Sequence, residues 1–153
     1  MRVQDVMTPD VRTIGAFESA GAAYASMKAL GVHHLVVRDE DAALVGVVSS
    51  HDLGAPGEED FRRRRRVADV MSAHVVTADP GMPIRRAANL MRGRSIGCLP
   101  VVRPGRTPRL VGIVTTSDLL EVLGRGIDRP TRPQRQVLKA RAPRTAPRIK
   151  RLR

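Results

Sequence analysis

The chain has 153 residues, of which 27 are Lys or Arg, 15 are Asp or Glu, one is Cys and none is Trp. This length suits one domain or two small halves with a shared core, since domains usually contain roughly 100–200 residues. A single Cys cannot form a disulfide within the chain, and no apolar run approaches the ~20 residues that a membrane span needs, so we expect a cytoplasmic protein with no membrane association.

The net charge of +12 is concentrated near the C-terminus. Residues 124–153 contain 11 Lys or Arg and one acid, whereas the preceding 123 residues contain 16 bases and 14 acids. Four prolines and the lack of aromatic residues beyond residue 126 indicate a disordered basic tail. Such a tail attracts nucleic acid weakly and without sequence preference, because counterion release needs only charge, whereas specific single-strand binding uses stacked aromatics.

The first 124 residues contain an internal repeat. The segment VQDVMT at residues 3–8 recurs as VADVMS at residues 67–72, and LVGVVSSHDL at residues 44–53 recurs as LVGIVTTSDL at residues 110–119. The offset grows from 64 to 66 between these two blocks, which places the length change in a loop, where insertions cost little. Sixteen of 45 aligned positions are identical, so the two halves are copies of one structural unit.

Both halves predict the same elements in the same order. A β-prone run at residues 11–14 precedes apolar residues at helical spacing over residues 17–30, and two strands follow at residues 35–37 and 44–48. The equivalent runs of the second half are, in chain order, residues 75–77, 84–91, 99–102 and 110–114. A short helix follows each hairpin. We predict an α+β fold of two β-α-β-β-α units packed sheet to sheet around a shared core, because one unit alone buries only about 60% of its unfolded surface.

The predicted organisation has four parts. These are repeat 1 at residues 1–57, a charged linker at residues 58–66, repeat 2 at residues 67–124 and the basic tail at residues 125–153. The linker ends in five consecutive arginines, Arg62 to Arg66, which have three open interpretations. They form a solvated linker, they supply phosphate-binding charge to a nearby cleft, or they join the tail in binding nucleic acid.

The most specific motif lies where the second hairpin strand ends. Residues 46–52 and 112–118 both read Gly, two apolar residues, a hydroxyl and then Asp three places later at the start of a helix. A hydroxyl and free N–H groups at a helix N-terminus can bond a phosphate, and the carboxylate can accept hydrogen bonds from both ribose hydroxyls. The same spacing is that of a capping box, in which both side chains satisfy backbone donors and touch no ligand.

The duplicated V-x-D-V-M segment, the strand bearing Thr13 or Thr77 and the G-x-x-[S/T]-x-x-D motif resemble a tandem pair of CBS domains (cystathionine-β-synthase-type), also called a Bateman module. The resemblance covers residues 1–124 and leaves the tail outside. It implies an adenine nucleotide as regulatory ligand, of the AMP, ADP or ATP class or else NAD or S-adenosylmethionine, although some members bind none. It also implies assembly as a homodimer.

The resemblance further implies two nucleotide clefts, each built mainly from one repeat. The residues of the first cleft are Asp52 for the ribose, Ser49 and Ser50 for the phosphate, and Thr13 with the backbone around His34 and Leu35 for the adenine. Those of the second cleft are Asp118 for the ribose, Thr115 and Thr116 for the phosphate, and Thr77 with Cys98, Leu99 and Pro100 for the adenine.

Other reactive side chains favour packing over chemistry. His33 and His34 are adjacent, so on a strand they point to opposite faces and cannot chelate one metal ion. Cys98 lies in an apolar run without a neighbouring His or Lys, which favours a buried thiol over a nucleophile. Because the sequence has no Ser-His-Asp order, paired carboxylates or Walker-type loop, we expect neither an enzyme nor a metal site.

These observations together predict a non-catalytic sensor. A bound nucleotide would favour one relative placement of the repeats and so signal to a separate partner protein, whose identity the sequence does not give. Two alternatives stay open. In one, the pair is a dimerisation scaffold for a nucleic-acid-associated protein that binds through its basic tail. In the other, the pair is purely structural and binds no small ligand.

Overall fold

A computed structural model describes residues 1–125. The predicted basic tail lies outside the described residues, apart from Arg125, which ends the last helix. The elements are, in chain order, β1 (Thr13–Gly15), α1 (Ala20–Leu30), β2 (His34–Arg38), β3 (Leu44–Ser49), α2 (Glu59–Arg63), α3 (Val67–Val70), α4 (Ile84–Arg94), β4 (Cys98–Arg103), β5 (Arg109–Thr115) and α5 (Thr116–Arg125). None of the helices within residues 1–125 is long and apolar enough to span a membrane.

The two repeats form separate sheets. In repeat 1, β1 runs parallel to β2 and β2 pairs with β3 as an antiparallel hairpin. In repeat 2, β4 and β5 form the equivalent hairpin, but the predicted strand at residues 75–77 is reduced to a single bridge from Ala78 to Val101. The strand prediction fails here because Asp79 and Pro80 follow at once, and the Asp79 carboxylate accepts the Gly81 N–H and turns the chain.

Local sequence sets the ends of the two long helices. Ser19 caps α1 by accepting the Ala22 N–H at 3.0 Å, so the helix begins after Phe17, whose side chain is exposed rather than part of the predicted apolar stripe. Gly31 ends α1 in the left-handed conformation, with φ of 65°, where glycine carries no steric penalty. Pro83 precedes α4, as the sequence indicates.

The core lies on both faces of each sheet. Leu35 and Val37 face α1 in one cluster of buried residues, and Leu99 and Val101 face α4 in a second cluster. Successive side chains of a strand point to opposite faces, so Val36, which is also fully buried, lies on the other side of its sheet, and Pro100 does the same in repeat 2. This arrangement confirms the α+β fold of two repeated units that pack sheet to sheet.

Each repeat lends its first segment to the other. Val3 is buried in the core cluster of repeat 2, and Val67 is buried in that of repeat 1. The backbone of Thr8 exchanges two 2.9 Å hydrogen bonds with Ile113, and Ser72 pairs in the same way with Val47. We call residues 3–8 and 67–72 the exchanged segments, and they connect the two clusters into one molecule.

The predicted linker contains a buried arginine. Arg62, in α2, is 3% exposed, and its guanidinium donates to the carbonyl oxygens of Leu53 and Ala55 at 3.1 and 2.9 Å. It also lies 4.0 Å from the centroid of the Tyr24 ring. A solvated linker is therefore wrong for Arg62, which ties α2 to repeat 1, whereas the side chains of Arg63 to Arg66 are exposed.

The close contact of Met7 with Gly112 makes the exchange testable. A Cβ at residue 112 would lie 2.6 Å from the Met7 sulfur and 3.1 Å from the Thr8 carbonyl oxygen. We expect Gly112→Ala to lower the free energy of unfolding by about 1–3 kcal/mol in urea denaturation, as overpacking does. Gly93→Ala, where a Cβ meets nothing within 4 Å in α4, is the control and should raise stability. A Gly112→Ala protein as stable as wild type would contradict the close contact.

The role of Arg62 predicts a contrast between neighbouring arginines. Arg62→Met leaves the buried Leu53 carbonyl without this donor, which costs about 1–3 kcal/mol, and also removes the donor to the exposed Ala55 carbonyl, which costs less because water can replace it. Arg63→Met removes a side chain that is 79% exposed and should change stability by less than about 0.5 kcal/mol. Thermal and urea denaturation should show that Arg62→Met is less stable than Arg63→Met. Equal stabilities would show that the Arg62 side chain does not stabilise the contact between α2 and the rest of repeat 1.

Candidate functional site

The repeated motif forms the same hydrogen-bonded loop in both halves. The Asp118 carboxylate oxygen Oδ2 accepts from the N–H and the hydroxyl of Thr115 at 2.7 and 2.8 Å, and the Asp118 N–H donates to Thr115 Oγ1 at 3.3 Å. Asp52 and Ser49 repeat these bonds at 2.7, 2.9 and 3.4 Å. Both motifs are therefore capping boxes, one of the two interpretations that the sequence left open.

The capping boxes engage the hydroxyls and leave part of each acid available. The hydroxyl of Ser49 donates to the Asp52 carboxylate and that of Thr115 to the Asp118 carboxylate, so donation to a phosphate would require these hydroxyls to turn away from the acids, and this role stays a prediction. The hydrogen bonds of both carboxylates within residues 1–125 all fall on Oδ2. Each acid can thus cap the backbone through Oδ2 and accept from a ligand hydroxyl through Oδ1.

The two motifs lead into different helical elements. Asp118 lies in the first turn of α5, which has ten residues, whereas Asp52 lies in a three-residue 3-10 turn, His51–Leu53, that Gly54 ends with φ of 79°. The predicted helix N-terminus therefore exists beside Asp118 alone. Even there, the Thr116 N–H donates to the Gly97 carbonyl, so the helix offers a ligand fewer free donors than an uncapped helix would.

The first cavity, which we call the Asp52 cleft, has a volume of about 170 Å³. Repeat 1 contributes one wall of this cleft, from β2, β3 and the motif. Repeat 2 contributes the opposite wall, from the end of its exchanged segment with the residues just beyond it, and from the residues that follow α4. The lining residues are His34, Val47, Ser49, Asp52, Ser72, His74, Val75, Val76, Ser95, Ile96, Gly97, Cys98 and Pro100.

The second cavity, the Asp118 cleft, has a volume of about 210 Å³ and the reverse construction. Its lining residues are Thr8, Asp10, Arg12, Gly31, Val32, His33 and His34 of repeat 1 and Ile113, Thr115, Ser117 and Asp118 of repeat 2. The expectation that each cleft is built mainly from one repeat is wrong. The exchanged segments cause the difference, because each carries the residues after it across to the other repeat's motif.

The structure brings some of the predicted residues together and separates others. Asp52 and Ser49 share a cleft with Cys98 and Pro100, which the resemblance grouped with Asp118, and His34 lines both clefts. Other predicted residues lie outside the two clefts. Thr13 is in β1, where it pairs with Val36 of β2, and Thr77 lines a separate cavity of about 670 Å³. Ser50 lines an outer groove along α1, Thr116 lines neither cleft, and Leu35 and Leu99 are fully buried. Thr13 and Thr77 thus line neither cleft, and their adenine contacts stay a prediction.

Six of the residues that reach a motif from the other repeat are absent from the sequence-based prediction. These are Thr8, Asp10 and Arg12 in the Asp118 cleft and Ser72, His74 and Val76 in the Asp52 cleft. All six lie at or just after the duplicated V-x-D-V-M segment. Their position beside the duplicated segment could have indicated these residues. A segment repeated in both halves, with a Met in each copy, suggests that both copies contact the other repeat in the same way.

Burial sets the protonation of the groups inside the clefts. Burial, with the nearby Asp52 charge, raises the pKa of the Cys98 thiol to about 12, so this thiol is not a nucleophile at neutral pH. Burial also raises the pKa of Asp118 above its usual value, while the hydrogen bonds from Thr115 lower it. The pKa of His34 is lowered by burial first and by His33 second, with Asp52 opposing. No cluster of His, Cys, Asp or Glu within residues 1–125 could hold a metal ion.

Comparison with known proteins agrees with this geometry. Residues 3–53 and 67–125 each match the CBS domain family. The chain belongs to this family as a tandem CBS pair. It is 32% identical to a CBS domain-containing protein of Dictyostelium discoideum over 143 residues, covering 86% of this chain and 97% of the relative. It is also 32% identical to a homoserine O-acetyltransferase of Methanohalobium evestigatum, but covers 24% of that protein and 79% of its own length.

Two solved CBS pairs share the fold and hold adenosine compounds. The CBS domain pair of protein MJ0100, in complex with 5′-methylthioadenosine and S-adenosyl-L-methionine, superimposes with a TM-score of 0.71 at 27% identity and covers 81% of this chain and 96% of that one. CBSX2 in complex with AMP superimposes with a TM-score of 0.68 at 26% identity, covering 84% and 98%. The chain is therefore similar over most of its length to pairs that bind adenosine derivatives.

The lowered pKa of His34 predicts a pH dependence of stability. Because the unfolded chain binds a proton more readily than the folded one, this histidine destabilises the fold as the pH falls through about 6.5, the ordinary value for His. We expect the melting temperature to fall between about pH 7.5 and about pH 5.5, and to fall less in His34→Gln than in wild type. His51→Gln, at an exposed position that does not shift the pKa of His34, is the matched control. Equal slopes for wild type and His34→Gln would contradict the burial of this imidazole.

Proposed function

We propose that the chain is a non-catalytic, cytoplasmic sensor that binds an adenosine-containing ligand in its two clefts and signals to a separate partner protein. The observation that carries the proposal is the construction of each cleft. A carboxylate from one repeat keeps Oδ1 available for a ribose, while the opposite wall comes from the other repeat. The bound methylthioadenosine, S-adenosylmethionine and AMP of related pairs support this ligand class.

The size of the clefts suggests how a ligand acts. Volumes of about 170 and 210 Å³ are below the range of roughly 300–1,000 Å³ that is typical of small-molecule sites. A nucleoside therefore fits fully only if the walls move apart, and the walls belong to different repeats. Ligand binding would favour a wider placement of the repeats over the one seen here, which is a population shift with a structural output.

The rest of the chain supports a regulatory role rather than a catalytic one. The high pKa of Cys98 removes the one thiol as a nucleophile, and the relatives that are enzymes extend well beyond the matched region, as in the acetyltransferase of which 24% is covered. We propose that the protein works as a homodimer. Leu120 and Leu123 on α5 support this, since they are 66% and 65% exposed while Val122 faces the core.

Two alternatives have support of their own. The capping boxes give both acids a structural purpose without any ligand, which favours a purely structural pair. The exposed side chains of Arg63 to Arg66 add to the charge of the tail, which favours weak nucleic-acid binding. A structural pair predicts no nucleotide affinity, and the nucleic-acid alternative predicts salt-dependent affinity for DNA or RNA that disappears when residues 126–153 are deleted.

An Asp118→Asn substitution separates the capping role from the binding role. The Asn oxygen can still accept the Thr115 N–H, so the melting temperature should change little, whereas the amide replaces the oxygen offered to the ribose. We expect AMP or methylthioadenosine to bind the Asp118 cleft roughly tenfold to hundredfold more weakly in titration calorimetry, the effect of losing a hydrogen bond to a charged group.

Asp69→Asn is the matched control for this experiment. Asp69 accepts the Arg66 N–H at 2.8 Å in an equivalent capping box but lines neither cleft. Its substitution should leave nucleotide affinity unchanged. If the Asp118→Asn and Asp52→Asn proteins bind both compounds as tightly as wild type does, the two acids hold no ribose and the proposal is wrong.

A further inference from the structure

The two clefts are equivalent positions of the repeat, so they can be compared residue by residue. Residues 8, 10 and 12 of the Asp118 cleft correspond to residues 72, 74 and 76 of the Asp52 cleft, at the offset of 64. The motif residues 113, 115 and 118 correspond to residues 47, 49 and 52, at the offset of 66. Asp118 and the hydroxyls of Thr8 and Thr115 have counterparts in Asp52, Ser72 and Ser49, whereas the second acid of the Asp118 cleft, Asp10, is replaced by His74.

The clefts differ in their cationic side chains. Within the described residues, Arg12 is the one Lys or Arg that lines either cleft, and its counterpart in the Asp52 cleft is Val76. Val76 packs against the core cluster of repeat 2 and offers only apolar surface. The Asp52 cleft contains Asp52 itself and two imidazoles, His34 and His74, of which His34 has a lowered pKa and is neutral at neutral pH.

Arg12 is placed to meet a phosphate. Its side chain is 44% exposed, and one of its terminal nitrogens lies 3.2 Å from a carboxylate oxygen of Asp10, whose own side chain is 79% exposed. This ion pair uses one edge of the guanidinium and leaves its other N–H groups for a ligand in the same cleft. Arginine binds phosphate through two parallel hydrogen bonds, which makes it well suited to this role.

A phosphate in the Asp52 cleft would lack such a partner. A phosphate monoester carries a charge of about −1.5 to −2 at neutral pH, and Asp52 faces the same cavity. Two like charges in a partly buried cleft repel each other. Within the described residues no Lys or Arg lines the Asp52 cleft to offset this repulsion, whereas Arg12 can contact a phosphate in the Asp118 cleft, where the second acid, Asp10, is 79% exposed and already paired with Arg12. A ligand that is neutral or cationic at the 5′ position avoids this repulsion, and a cationic group gains from the carboxylate.

We propose that the two clefts select different adenosine ligands. The Asp118 cleft takes an adenosine 5′-phosphate, which Arg12 holds, and the Asp52 cleft takes an adenosine whose 5′ position carries a thioether or sulfonium and no phosphate. This inference rests on the proposed function, because it assumes that adenosine compounds occupy the clefts. The chain then senses two classes of metabolite at once. Arg12 in one cleft and Val76 at the equivalent position of the other determine which class each cleft binds.

The test is titration calorimetry of the full chain with two probes, AMP and methylthioadenosine, in phosphate-free buffer. Arg12→Met should weaken AMP binding roughly tenfold to hundredfold, the loss of a charge-assisted hydrogen bond, and leave methylthioadenosine binding within about twofold of wild type. Arg12→Lys keeps the charge without the two-pronged geometry and should restore part of the AMP affinity. Because Arg12 is exposed, we expect these variants to fold as wild type does, which thermal denaturation checks.

The reciprocal variant moves the cation to the other cleft. Val76→Arg should add a second AMP site, raising the stoichiometry from one to two per chain, and Val76→Met is the uncharged control. If Val76→Arg fails to fold, the Arg12 variants alone decide.

Two failures are distinguishable. AMP binding that is equally tight in wild type and Arg12→Met would overturn this inference and leave the proposed function standing. A wild-type protein that binds neither probe would overturn the proposed function and this inference with it.

Discussion

The structure depends on the exchange of residues 3–8 and 67–72 between the repeats. Each exchanged segment buries a valine in the core of the other repeat and pairs its last residue with that repeat's outer strand. The methionine before that pair lies against a glycine, Met7 on Gly112 and Met71 on Gly46, where a Cβ would come within 2.6 and 2.5 Å of sulfur. Two units that would be marginal alone are thereby joined through their cores as well as through their sheets.

The same exchange builds the clefts. The chain that leaves each exchanged segment passes directly in front of the other repeat's Ser/Thr-x-x-Asp motif, so a ligand there touches both repeats. In the proposed site the acids would serve two purposes through different oxygens, since Oδ2 fixes the motif loop and no hydrogen bond within residues 1–125 falls on Oδ1. This division places a hydrogen-bond acceptor at the edge of a cavity whose opposite wall belongs to the other repeat.

Much of the fold could be predicted from the sequence because the repeat, the period-two hairpins and the helical stripe are local signals. The buried side of β2, with Leu35 and Val37, is one example.

Non-local contacts could not be predicted in the same way. The spacing of Asp118 could not tell a cap from a ribose contact, because both need the same three-residue separation, and the structure shows that the cap is present. Cys98 lines the same cleft as Asp52 because the exchanged segment crosses from one repeat to the other, and a local sequence pattern does not reveal this crossing. Arg62 looked like its exposed neighbours, and only its contacts with Leu53, Ala55 and Tyr24 distinguish it.

Amide hydrogen exchange at Thr8 tests the central claim most directly. Thr8 lies outside the helices and strands, where amides usually exchange quickly, yet its N–H donates to Ile113 of the other repeat at 2.9 Å. In the full chain, followed residue by residue by NMR, we expect the amides of Thr8 and Ile113 to exchange at similar slow rates and to open together, and Ser72 to do the same with Val47. Rapid exchange at Thr8 and Ser72, while β5 and β3 stay protected, would contradict the exchange of segments and the clefts built on it.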